Sequence, residues 1–184
     1  MISLKEFEAK NSTQKERENF LRAEVEPIIG ETLTDMMIHK GFCSAPASTR
    51  FHGDYPGGLF EHSYNVARCL LKYTERLGLK WNLEESPIKI GFLHDLCKTD
   101  IYVLDGEKYK KDNMSIVKGH GQKSVIYALR YGCKLNDEEI ACILYHMGAY
   151  ETDNWDAFDN AIRKYPNVLW THTADMEASK IIGV

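Results

Sequence analysis

The chain has 184 residues, with 27 acidic against 23 basic side chains for a net charge of −4, and seven histidines outside that count. Hydrophobic residues at 43% and charged residues at 27% make an ordinary globular mixture, large enough to bury a core without staples. No apolar run reaches the roughly 18 residues of a membrane helix, Met1–Ser12 lacks a signal-peptide core, and an acidic chain lacks the basic face that long nucleic acid requires.

Thr13-Gln14-Lys15-Glu16 reads as a capping box, opening a helix through Phe20, Leu21, Val25 and Ile28, then a shorter one from Leu33 to Lys40 ended by Gly41. Phe42–Pro56 loses helical periodicity and reads as a loop. Gly58–Gly78 places Leu59, His62, Val66, Leu70, Tyr73 and Leu77 on one stripe. Ser86-Pro87 reads as an N-cap and first helical residue, starting a short apolar helix that carries His94-Asp95. Between the runs Ile101–Leu104 and Glu107–Tyr109, Asp105-Gly106 is a type I′ hairpin signal. Further helices are expected over Gly119–Tyr131, from the Asn136 cap to His146, around Trp155–Lys164, and over Asn167–Ile182 after Pro166; Met147–Asn154 reads as a polar loop. The expectation is an all-α fold, a bundle of about eight helices with one small β-hairpin insertion. One domain spans residues 1–184, with N-terminal helices (1–50) packed on a core (52–182). The five cysteines (Cys43, Cys69, Cys97, Cys133, Cys142) are odd in number and without CxxC spacing, as suits reduced thiols in a cytoplasmic protein.

Six side chains form a candidate metal set: His62, His94, Asp95, His120, His146 and Asp175. Singly, each has an ordinary structural reading; a lone helical histidine is usually a core or surface residue. Asp175 is harder to place that way, because Ala174, Met176, Ala178 and Ile181 surround it with apolar positions and a buried, unpaired carboxylate is costly. Imidazole nitrogen and carboxylate oxygen without thiolate suit iron, manganese, nickel or zinc. Six such groups from five helices can hold two ions with one aspartate bridging, the arrangement that clamps a phosphate in two-metal sites.

The segments Tyr55-Pro56-Gly57-Gly58-Leu59-Phe60-Glu61-His62-Ser63, Phe92-Leu93-His94-Asp95-Leu96-Cys97-Lys98, Gly119-His120-Gly121-Gln122-Lys123-Ser124, His146-Met147-Gly148 and His172-Thr173-Ala174-Asp175-Met176-Glu177-Ala178 together resemble the HD-domain superfamily, from about His52 to Ile182. The resemblance implies a helical metal-dependent phosphohydrolase. It implies His62, His94, Asp95 and Asp175 as ligands of one divalent transition-metal ion, and His120 and His146 as added ligands of a second, with Asp95 bridging. Many binuclear relatives carry a second histidine directly after the position of His146; this chain has Met147 there.

The implied mechanism is attack of a metal-activated water on a phosphate ester, most naturally of a nucleotide or short oligonucleotide. Asp95 and Lys98 are the candidate catalytic residues. Lys98 matches the lysine of the HDxxK pattern and suits a phosphate oxygen, although a helix-end lysine interacting with the dipole is the plain alternative. Lys123 lies near a helix N-terminus able to receive an anion. With Lys98 and Lys123, the residues Arg50, Tyr55 and His172 are candidate substrate contacts; His52 is a rim position, and His172 suits a partner of a ligand equally well. The expected partner is a small phosphorylated substrate. HD-fold di-iron oxygenases, which cleave a C–C or C–P bond with O₂, resemble the same ligand order, and a non-catalytic nucleotide-binding module is a third reading.

Overall fold

The computed structural model describes residues 2–49, 53–105, 108–111, 117, 119–148 and 155–184, with 100–105 and 108–111 described as backbone alone. Helix α1 (Gln14–Phe20) continues through a π-helical stretch, Leu21–Val25, into α2 (Glu26–Ile29), and α3 (Glu31–His39) follows. Next come α4 (Gly58–Leu77), α5 (Ser86–Leu93) and the single turn α6 (Lys98–Ile101). Strands β1 (Tyr102–Asp105) and β2 (Lys108–Lys111) pair antiparallel, Tyr102 opposite Lys111 and Asp105 opposite Lys108. The turn signal rests on Gly106, which lies outside the described residues. Then follow α7 (His120–Arg130), α8 (Asp137–Tyr145), α9 (Trp155–Lys164) and α10 (Asn167–Met176), which runs on as a π-helical stretch, Glu177–Ile182. The fold is helical, and no described helix is long and apolar enough to cross a membrane.

Local chemistry accounts for most boundaries. Thr13 and Glu16 close the capping box of α1, and Asn136 with Glu139 closes another at α8. Helix α4 ends at Gly78 in the left-handed conformation (φ 66°, ψ 35°). The start of α5 differs from expectation. Glu85 occupies the N-cap without a side-chain bond and Ser86 is already helical; the Ser86 hydroxyl instead donates to Glu139 Oε1 at 2.8 Å. That carboxylate also meets Lys89 Nζ at 3.0 Å. A buried polar tie to α8 has thus replaced a local cap, because leaving Lys89 and Glu139 unpaired in the core would cost more than one uncapped N–H.

The N-terminal rod is pinned to α4 and α5 by aromatic rings. Phe20 meets Phe60 edge-on at 5.8 Å and Tyr64 at 5.5 Å, while Phe92 meets Phe60 at 5.9 Å. Two glycines then bring helices into close contact. A Cβ on Gly91 of α5 would lie 2.5 Å from Ala67 Cβ of α4, and one on Gly121 of α7 would lie 2.4 Å from the Leu144 carbonyl oxygen of α8. Only an absent side chain allows these approaches, and they occur beside His94 and His120. All five cysteines are buried free thiols.

Candidate metal centre

Helices α4, α5, α8 and α10 deliver their histidines and aspartates to one point. His62 comes from the second turn of α4, Asp175 from α10, and His94 and His146 occupy the C-cap positions of α5 and α8. His62, His94 and His146 are wholly buried, Asp95 is 2% exposed and Asp175 9%.

Each imidazole is oriented by a backbone oxygen. His94 Nδ1 donates to Gly91 O (2.9 Å) and His146 Nδ1 to Ile143 O (2.8 Å), each three residues back in the helix it terminates. His62 Nδ1 donates to Val184 O at 2.9 Å, across 122 residues of sequence. With Nδ1 donating to a carbonyl, Nε2 is the nitrogen that each ring turns to the centre. His62 Nε2 and His94 Nε2 face one another at 3.1 Å. Two bare lone pairs would repel at that distance, so a proton or a metal ion belongs between the two nitrogens. Around the same nitrogens stand Asp175 Oδ1, 3.0 Å from His62, and Asp95 Oδ2, 3.4 Å from His94 and 3.6 Å from His62.

These spacings suit a shared ion. Two donors each about 2.0–2.2 Å from a metal lie about 3–3.5 Å apart at right or tetrahedral angles. Buried atoms without a hydrogen-bond partner point the same way: Asp95 Oδ1 and His146 Nε2 have none, and face each other at 3.7 Å, too long for a hydrogen bond. Both carboxylates are held ionised by the groups around them. Burial opposes ionisation of Asp95, yet Lys98 and His94 hold its carboxyl well below the usual carboxylate range. Burial likewise opposes ionisation of Asp175, which its bond to His62 and the neighbouring histidines keep low. Burial depresses His94, whereas in His146 the pull of Asp95 and Asp175 outweighs burial and raises it.

A family model described as HD domain matches residues 59–178, nearly two-thirds of the chain. The chain belongs to the HD-domain family. Neither a search of curated proteins nor one of solved structures gives a match.

The HD pair itself, His94-Asp95, sits between α5 and α6, and Asp95 divides its two oxygens between different partners. Oδ2 faces His62, His94 and Lys98 Nζ (2.6 Å), whereas Oδ1 faces His146. Lys98 is buried and opens α6, so its charge goes to Asp95 rather than to a helix C-terminus. His120 starts α7, half-buried, with Nδ1 3.4 Å from Cys97 Sγ. His172 donates from Nδ1 to His146 O at 2.7 Å, which helps to position His146. Lys123 is buried, its Nζ 5.6 Å from the Tyr127 ring centroid. Tyr55 donates to Glu61 Oε2 at 2.7 Å, and burial together with that carboxylate raises its hydroxyl pKa. Arg50 and His52 lie outside the described residues.

Sequence reasoning missed the backbone oxygens of Gly91, Ile143 and Val184, and it missed Cys97. A signal existed for two of them: a histidine closing a helix has its last-turn carbonyls within reach. Val184 O carried none, since any residue supplies a carbonyl.

Proposed function

We propose that this HD-domain chain is a metal-dependent phosphohydrolase that cleaves a phosphate ester of a nucleotide or short oligonucleotide at the centre described above. The observation that carries the reading is the 3.1 Å approach of the His62 and His94 Nε2 atoms beside two buried carboxylates. His62, His94, Asp95 and Asp175 would hold one divalent transition-metal ion, of iron, manganese, nickel or zinc. The divided oxygens of Asp95 support a bridging role, with His120 and His146 towards a second ion. When bound, such ions supply Lewis acidity that offsets phosphate charge and makes a water nucleophilic near neutral pH.

The chain's own residues do the rest. Lys98 keeps Asp95 ionised through the 2.6 Å contact and fixes the direction of Oδ2. The carbonyls behind His62, His94 and His146 fix the tautomers, so that no ring must reorient when a ligand arrives. His120 and Asp175 are the less deeply buried members of the set. Lys123, Tyr55 and His172 remain the candidate substrate contacts, with Arg50.

The test is metal analysis of the purified chain, followed by activity screening against nucleotides, cyclic dinucleotides and short RNA, with and without O₂. Two ions per chain and phosphate release that His94→Ala abolishes are expected. Trace metal only, with His94→Ala as active as the parent, overturns the proposal. O₂ uptake without phosphate release assigns the oxygenase chemistry instead, and binding without turnover in any metal assigns a nucleotide-binding module.

A further inference from the structure

Cys97 has no part in the reading above, yet its sulfur lies at the centre. It follows Asp95 by two residues, in the turn between α5 and α6. Its backbone N–H donates to the Ser124 hydroxyl at 3.1 Å, which ties this turn to α7 and turns Cys97 towards the start of that helix. The sulfur then hydrogen-bonds His120 Nδ1 at 3.4 Å. Ligand atoms of Asp95, Cys97 and His120 all fall within 4.8 Å of one another. Asp95 is 2% exposed, and its Oδ1, 3.7 Å from His146 Nε2, has no hydrogen-bond partner.

The spacing between sulfur and nitrogen is informative. A zinc-like ion binds thiolate sulfur at about 2.3 Å and imidazole nitrogen at about 2.0–2.1 Å, which places the two donors about 3.5 Å apart across a tetrahedral angle. The 3.4 Å between Cys97 Sγ and His120 Nδ1 matches that separation.

We infer that Cys97 joins Asp95 and His120 as a ligand of the second ion of the centre, so that the two sites differ in kind. The first, of imidazole and carboxylate, accepts any of the harder divalent ions; the second contains sulfur and selects zinc, cobalt or ferrous iron over manganese and magnesium. On binding, the Cys97 sulfur loses its proton to the buffer and forms one bond to the ion, with no change of oxidation state. The inference rests on the metal reading of the site and deepens it by naming the chemical class of the second ion.

Cobalt(II) tests it. The purified chain is stripped with chelator and titrated with cobalt, while bound metal is counted by atomic analysis and the near-ultraviolet spectrum is recorded. A thiolate-to-cobalt charge-transfer band is expected to grow to a plateau by the second equivalent. Cys97→Ser and Cys97→Ala are each expected to lose that band while still binding cobalt through His62 and His94. Cobalt bound without the band, or with a band that survives both substitutions, overturns the Cys97 assignment and leaves the metal centre standing. No cobalt bound at all overturns the metal reading itself. If both variants misfold, X-ray absorption of the zinc-loaded parent decides: a sulfur neighbour at about 2.3 Å is expected, and a shell of nitrogen and oxygen alone overturns the assignment.

Discussion

Asp95 carries more of the site than any other residue, and Lys98 is what allows a carboxylate to sit there. The pair is 2.6 Å apart with side chains 10% and 3% exposed. Breaking a buried ion pair by removing one partner typically costs about 3–5 kcal/mol, because the other charge is stranded. Around Asp95, however, a metal ion would take over the compensation. Lys98→Ala is therefore expected to destabilise the chelator-treated chain by an amount in that range and the metal-loaded chain by clearly less. Urea unfolding of parent and variant, each with chelator and with metal, measures the difference. An equal loss in both states would mean that no ion shares Asp95 with Lys98. The histidines repeat one device at this scale: His94 and His146 both donate to a carbonyl three residues back, at 2.9 and 2.8 Å. In each case an unsatisfied helix-end carbonyl becomes the group that aims a ligand.

At the scale of elements, close helix contacts set the ligand distances. Gly91 lets α5 lie against α4 at Ala67, one turn beyond His62, and His94 follows three residues after Gly91. Gly91→Ala would put a Cβ 2.5 Å from Ala67 Cβ and 2.6 Å from its Cα and backbone N. The expected cost is about 1–3 kcal/mol of overpacking, read from the urea midpoint, together with weaker metal binding as His62 and His94 are pushed apart. Adding Ala67→Gly should restore only part of the loss, since the backbone of residue 67 stays in the way; full restoration would show that side-chain crowding alone sets the spacing. This contact explains what could be read beforehand. Boundaries marked by local chemistry were legible: the Thr13 and Asn136 caps, the Gly78 stop, and the placement of His94 and His146 at helix ends. Ser86 was misread because its hydroxyl serves Glu139, 53 residues away, rather than its own helix. Gly91 looked like one small residue in an apolar run, for nothing local signals that Ala67 will press against it. Cys97 was passed over because cysteine counting looks for CxxC pairs, whereas here the fold supplies a histidine and an aspartate as its neighbours.

For the whole molecule, the centre gathers helices that are far apart in the chain. His62, His94, His146 and Asp175 bring α4, α5, α8 and α10 together, and Val184 closes on His62 from the end of the π-helical stretch that extends α10. Without a cation, folding must press three imidazole rings and two carboxylates into one buried volume. Among the described residues, the compensation on the carboxylates comes from Lys98 and the neighbouring histidines. An ion that binds the folded chain and not the unfolded one would relieve that repulsion and tie α4, α5 and α10 together. At a free metal concentration of about 100 times the dissociation constant, linkage contributes about 2.7 kcal/mol. For a chain of this size each kcal/mol moves the melting temperature by about 2–4 °C. Loading the chelated protein with zinc, manganese or ferrous iron should therefore raise Tm by about 5–11 °C by calorimetry, and His62→Ala should remove most of the rise. A shift of similar size in His62→Ala would place the stabilising ions elsewhere on the acidic surface, because ions held by scattered surface carboxylates would not notice the loss of one fully buried imidazole.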